Sequence, residues 1–307
     1  NIHPKNFKRY RNEISKFLNE HREYKVIHGN FSELGYFLYK EAKVQGVPSV
    51  IVHAHNYSNV FDAKSIFRFY WKHAMRPYVT HMFTCSQIAA EWLFGKKLAQ
   101  NSIMMNNAID SKRFSFNKYK SLNMKRELGI ENKFVIGHVG RFNIQKNHEF
   151  IIDVFKEIKS KNNESVLVLV GDGELEKKIK TKVDDNNLND SVIFLGSRAD
   201  INEVMQAFDV FLFPSIFEGL GVVLIEAQAS GLRCFTSKGA VPMEAKVTDL
   251  LSYIPLDDGA KVWATEILKY KDGYDRKDTF NDIVKNNFDI NNNAKWLEEF
   301  YLNEYYK

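Results

Sequence analysis

From position 133 onward, short apolar runs rich in β-branched residues alternate with longer stretches in which apolar residues recur every three or four positions. The first pattern fits buried strands and the second amphipathic helices. Strands are predicted over 134–139, 166–170, 192–195 and 210–213, with helices over 148–159, from 174, and near 201–208. In the 148–159 helix, Phe150, Ile151, Val154, Phe155 and Ile158 make one stripe. A further helix from 222 is stopped by Gly231, the residue type that accepts the left-handed conformation after a helix end. Repeated strand–helix alternation predicts an α/β fold whose parallel sheet is covered on both faces. Such sheets bind ligands beyond the carboxyl ends of their strands.

The first third is patterned alike but with fewer strands. Helices are predicted over 6–18, 32–43, 63–73 and 87–94, and strands over 25–28, 49–53 and 82–85. Three strands before Asn107 are fewer than a complete Rossmann-like half holds, so the first domain is expected to be truncated. Helical pattern lapses around 109–116, and the length of 307 residues suits two domains of ~150 each. The expected division is a partial Rossmann-like domain over 1–110 and a second Rossmann-like domain over 111–285. A C-terminal helix over 286–307 should return to the first.

Composition narrows the class. Hydrophobic residues at 44% and charged residues at 26% exclude wholesale disorder, collagen and coiled coil. Two cysteines, Cys85 and Cys234, support neither a disulfide framework nor a structural zinc site, and point to a reducing compartment. No apolar run reaches the ~18 residues of a spanning helix, and 1–11 lack the apolar core of a signal peptide, so a cytoplasmic location is expected. The net charge of +5 is uneven: residues 1–110 carry fifteen Lys or Arg against eight Asp or Glu. That basic third, with the aromatic and basic segment Phe67-Arg68-Phe69-Tyr70-Trp71-Lys72, resembles surfaces that lie against anionic membrane at the inner face of a cell. A core helix with a basic edge is the plainer alternative. No nucleic-acid-binding motif or basic helical stripe accompanies it, so no nucleic-acid partner is expected.

The densest chemical signal runs from Phe213-Pro214-Ser215 through Glu218-Gly219-Leu220-Gly221-Val222 to Glu226-Ala227-Gln228-Ala229-Ser230-Gly231. A strand end, a glycine turn and a helix start put unpaired N–H groups and a positive dipole end at the ligand edge, where Gly219 and Gly221 let a phosphate approach the backbone. Glu218 and Glu226 lie eight positions apart, roughly 12 Å on continuous helix, enough for one carboxylate at each end of a sugar-diphosphate-ribose. The bland alternative makes Glu226 a salt-bridge partner and Glu218 a solvated loop acid. A second cluster, Gly140-Arg141 to Lys146-Asn147, follows the 134–139 strand, and both cations are expected to reach a phosphate. No Asp-x-Asp pair occurs anywhere, so these cations are expected to replace a metal clamp, with no metal site. His53 and His55 close a third segment. Alternating strand positions face opposite ways, and the pair is therefore expected to divide, with at most one ring entering a cleft and no metal held between them.

Together these residues resemble the GT-B glycosyltransferases of family 4, in particular those of bacterial capsular and exopolysaccharide clusters. Glu218 to Glu226 is similar to that family's E-x7-E signature. Gly140-Arg141 with Lys146-Asn147, Val170-Gly171-Asp172-Gly173, Phe194-Leu195-Gly196 and Asn107-Ala108-Ile109-Asp110 fall in the family's order, the last with Ala108 in place of glycine. The resemblance spans roughly residues 24–300 and implies two Rossmann-like domains, the first lacking its opening strands and Gly-rich loop. It implies a retaining, metal-independent transfer of a hexose from a nucleotide-diphosphate sugar, UDP-sugar foremost, to a saccharide or lipid-linked saccharide acceptor, without any cofactor. By resemblance Glu226 binds the ribose, Glu218 the sugar hydroxyls, and Arg141 with Lys146 the diphosphate, helped by backbone at Leu220 to Val222. Gly140 and Gly171 are donor-binding, Ser197 and Arg198 follow the strand that helps seat the base, and His55, followed by Asn56, is the histidine that approaches the sugar, with His53 its alternate. An epimerase or hydrolase of the same fold, and a non-catalytic nucleotide-binding fragment, are the competing expectations.

Overall fold

The computed structural model describes residues 6–55 and 63–307; Asn56 lies outside them. The chain divides into two compact units, Asn1–Asn107 with Asn291–Lys307, and Ala108–Ile290.

In the first unit four parallel strands lie in chain order: β1 (Val26–Gly29), β2 (Ser49–Ala54), β3 (His81–Thr84) and β4 (Ile103–Met104). The pattern predicts three of them. The fourth is two residues long, too short to show a period of two. The central strand β2 is buried along its whole length, as its unbroken Ser-Val-Ile-Val-His-Ala run requires of a strand covered on both faces. Helices α1 (Phe7–Glu20), α2 (Tyr36–Val44), α3 (Ala63–Ala74) and α4 (Gln87–Phe94) precede or link the strands. The expected 32–43 helix begins as a tighter 3₁₀ turn over Ser32–Gly35. On α3, Phe67, Phe69 and Tyr70 are more than 60% exposed, so the core-helix alternative fails for these three rings. Among the described residues no helix is long and apolar enough to cross a membrane.

In the second unit six parallel strands run β5 (Phe134–Val139), β6 (Ser165–Val170), β7 (Val192–Phe194), β8 (Val210–Phe213), β9 (Arg233–Ser237) and β10 (Leu251–Ile254), in the spatial order β10-β9-β8-β5-β6-β7. Side-chain alternation divides their residues between two cores. Val166, Val168, Val170, Phe211 and Phe213 join one, while Leu167, Leu169, Val210 and Leu212 join the other. Each fully buried Leu or Phe contributes about 2 kcal/mol of transfer free energy, so the strands are held by apolar contact on both faces. Gly137 of β5 is required by space: a Cβ there would stand 2.1 Å from the Phe208 ring. Strands β9 and β10, and the helix Gly259–Leu268 that packs beside them, lie past Gly231, where the pattern gives no assignment.

The strand order also fixes where a ligand can sit. From β5 the chain moves outward through β6 to β7, then returns to β8 on the other side and moves outward again. The reversal between β5 and β8 is a topological switch point, where the helices leave a crevice at the carboxyl edge.

Candidate active site

The loops that leave β5 and β8 at this switch point are the two sequence clusters, and they are stitched together. The Ile216 N–H donates to the Gln145 carbonyl at 2.8 Å, Gln145 Nε2 to the Phe217 carbonyl at 3.0 Å, and Asn147 Nδ2 to the Pro214 carbonyl at 3.2 Å. Lys146 Nζ meets Glu218 Oε1 at 2.6 Å, with both side chains largely buried, and stands 4.5 Å above the centre of the Phe213 ring. The two residues expected at separate parts of a ligand are thus each other's partners. Arg141 is placed differently. Its guanidinium is 69% exposed and pairs with Glu174 at 3.2 Å.

Gly140 is tight because a Cβ would approach His138 Nε2 to 2.8 Å, and Gly171 because a Cβ would lie 2.2 Å from the Gly140 carbonyl. Ser197 Oγ donates to Asp172 at 2.8 Å, tying the loops after β6 and β7. Arg198 is engaged by Asp200 through Nε at 2.8 Å and Nη2 at 2.6 Å, which leaves it less available than its place in the sequence implies.

Helix α5 (Val222–Ala229) starts at Gly221, whose φ of +79° favours glycine. Only the steps from Val222 to Glu226 are helical, so the roughly 12 Å separation expected on continuous helix does not describe Glu218 and Glu226. Leu220 is buried, which turns its side chain to the core and leaves its backbone in the turn before α5. Gly231, at φ +68°, follows the helix as expected.

Glu226 is half-buried, and its carboxyl has no hydrogen-bond or ion partner among the described residues. Burial alone pushes its pKa up to about 7. Both halves of the bland alternative therefore fail: Glu218 is a buried, paired carboxylate, and Glu226 forms no salt bridge among the described residues.

The sequence reading did not explain Gln228, one residue of the same motif. Its Nε2 donates to the Leu224 and Ala245 carbonyls at 2.9 and 2.8 Å, and its Oε1 accepts from Val247 N–H, Thr248 N–H and Thr248 Oγ1 at 3.2, 3.1 and 2.9 Å. It staples α5 to the segment between β9 and β10. Gln228→Leu is expected to lower stability by about 2 kcal/mol, because buried peptide groups lose their partners. A urea midpoint equal to that of the wild type would sink this account.

In the first unit His53 and His55 do not divide. Their rings lie 3.9 Å apart, centre to centre: positions two apart along a strand share a face, and His55 directly follows the end of β2. His53 is buried, while His55 is half-buried at the carboxyl edge, its Nδ1 3.2 Å from Asn107 Oδ1 and its Nε2 2.7 Å from Asn30 Oδ1. Desolvation lowers the pKa of both. Asn30 ends the β1 turn and Asn107 follows β4, so three parallel strands deliver these groups to one edge. No group of three or more His, Cys, Asp or Glu side chains among the described residues is arranged to hold a metal ion.

The chain is similar to known glycosyltransferases. Residues 120–249 match the family described as glycosyl transferases group 1. The chain is 31% identical over 264 residues to a Bacillus subtilis protein named as the glycosyltransferase EpsF, covering 83% of this chain and 68% of that one. It is 31% identical over 226 residues to the UDP-Gal:alpha-D-GlcNAc-diphosphoundecaprenol alpha-1,3-galactosyltransferase of Escherichia coli, covering 70% of this chain and 58% of that one. The chain thus spans between 58% and 68% of these relatives' lengths. Among solved structures, Anabaena HepE in complex with UDP aligns with a TM-score of 0.79 at 20% identity, over 94% of this chain and 81% of that one. Structures of this kind have the GT-B fold.

Proposed function

We propose the following reaction for a chain that belongs to the group 1 glycosyltransferases: the retaining, metal-independent transfer of a hexose from a UDP-sugar to a growing, lipid-linked polysaccharide. The observation that carries this reading is the convergence at one switch point of the buried Lys146–Glu218 pair, the start of α5, and the unpartnered carboxyl of Glu226. The printed names of relatives support the donor and acceptor classes: the Escherichia coli relative is named for UDP-Gal and a diphosphoundecaprenol-linked acceptor, and HepE was solved with UDP.

The chemistry follows from charge. As the bond from the anomeric carbon to the diphosphate oxygen breaks, the electron pair leaves with the diphosphate. The acceptor hydroxyl attacks from the same face and gives up its proton to the departing oxygen. The enzyme's main contribution is then support of the growing negative charge by Lys146, by Arg141 and by the amide dipoles at the start of α5. An arriving diphosphate competes with Glu218 for Lys146 and frees Glu218 for the sugar hydroxyls. Glu226 takes the ribose hydroxyls, and His55 serves the sugar. The exposed aromatic face of α3, with Arg68 and Lys72 on the same helix, is the surface that meets anionic lipid, on the cytoplasmic side.

The test is a thermal titration with UDP, GDP, ADP and their sugar conjugates. A ligand that binds only the folded state raises its stability by mass action, so UDP and one UDP-sugar are expected to raise the melting temperature while GDP and ADP do not. No shift with any uridine nucleotide would end the donor assignment. Incubation of radiolabelled donor without acceptor separates transfer from epimerisation, which needs no acceptor.

A further inference from the structure

The C-terminal helix α6 (Ile290–Tyr305) packs Trp296, Phe300 and Tyr301 into the first unit. Phe300 and Trp296 lie 5.2 and 5.9 Å from Phe83, which in turn sets its edge against both His28 and His53. Tyr301 then reaches past this block. Its hydroxyl lies 2.6 Å from His28 Nδ1, and His28 Nε2 lies 3.3 Å from His53 Nδ1. The far nitrogen, His53 Nε2, is buried and has no hydrogen-bond partner among the described residues.

These contacts run in one sense along the chain. When the tyrosine O–H donates to His28 Nδ1, His28 donates from Nε2 to His53 Nδ1 and both rings carry their proton on Nε2; in the opposite sense His53 donates from Nδ1 to His28 Nε2, His28 donates from Nδ1 to the tyrosine oxygen, and both rings carry it on Nδ1. Either way the two rings share one tautomer. Burial holds His28 and His53 neutral, with pKa values near 4 and 3, so each ring has one proton to place. His55 lies against the last ring of the chain at 3.9 Å. Its two nitrogens face the Asn107 and Asn30 side-chain oxygens, and a neutral ring donates to one of them.

We propose that Tyr301 and His28 are positioning residues: their one-way hydrogen-bond chain fixes the tautomer and plane of His53, and through that ring the orientation of His55. The proposal rests on the reading of His55 as a group that serves the sugar, but its test does not depend on turnover. Long-range ¹⁵N NMR of the uniformly labelled chain reads the protonated nitrogen of each imidazole directly. The wild type is expected to show His28 and His53 each as a single tautomer, protonated on the same-named nitrogen in both rings. Tyr301→Phe keeps the ring and removes the O–H. It is expected to lose the single-tautomer signature at His28 and His53 and to move the His55 nitrogen shifts, with the fold retained. Should that variant not fold, His28→Phe breaks the chain at its middle member and is read at His53 and His55 in the same way. A wild type with His28 and His53 protonated on different-named nitrogens, or unchanged His53 and His55 shifts in the folded variant, overturns the proposal. Normal turnover of a UDP-sugar substrate in His55→Ala would instead end the role given to His55 and leave the tautomer result standing.

Discussion

Replacing Lys146 with Ala is expected to cost about 3 to 5 kcal/mol of stability and to reduce turnover by ~10²-fold or more. The two losses have separate causes. Glu218 is 7% exposed in its side chain and has Lys146 as its ion partner at 2.6 Å. Removing the ammonium leaves a carboxylate in a site that water reaches poorly, and the cost is that of an uncompensated buried charge rather than the worth of the pair. The double variant Lys146→Met with Glu218→Leu removes both charges and fills the space with apolar atoms, so it should recover most of the stability of the single variant. It should not recover turnover, because the departing diphosphate still lacks its cation. Urea unfolding and donor turnover, measured on the same samples, check both statements. A Lys146→Ala protein with near wild-type stability would show that the pair is not closed in solution, and one with near wild-type turnover would remove Lys146 from the reaction.

Glu226→Gln is expected to strengthen the empty protein and weaken its hold on the donor. Below pH ~4.5 the Glu226 carboxyl is neutral in both folded and unfolded chains, and the two proteins should be equally stable. Between pH ~4.5 and about 7 the wild-type carboxyl stays neutral only while folded. Stability is therefore lost progressively as the pH rises, and the loss is complete above pH 7, where folding must bury a charge. At pH 8 the glutamine variant should be more stable by about 3 kcal/mol, the free energy of a shift from 4.5 to about 7. Donor affinity should fall tenfold or more, since a charged acceptor for the ribose hydroxyls has been exchanged for a neutral one. Equal melting temperatures at pH 5 and at pH 8 would show that the carboxyl is solvated. A stabilised variant with unchanged affinity would separate the burial from any donor role.

Such opposed effects are expected where a group is kept at a site for binding rather than for folding. The same contrast appears between Glu226 and Gln228, two positions apart in one motif. Gln228 makes five hydrogen bonds and is fully buried, and its identity is explained by the fold alone. Glu226 has no partner among the described residues, and its identity is not.

Local pattern determined much of this protein. Apolar runs such as Val210–Phe213 and Phe134–Val139 became strands at the expected positions, because a strand buried on both faces leaves an unbroken apolar signature. Gly221 and Gly231 bounded α5 because positive φ is a property of the residue itself. Which residues meet was beyond such reasoning. The partnership of Lys146 with Glu218 depends on β5 and β8 being neighbours, and the pairing of Arg141 on Glu174 being near. The pairing of His53 with His55 places on one side two rings that the alternation argument divides, and the approach of Tyr301 to His28 spans 273 positions. The chemical type of each site residue is written in the chain. Its charge state and its partner are set by distances between segments far apart in sequence, and only the folded sheet order fixes those distances.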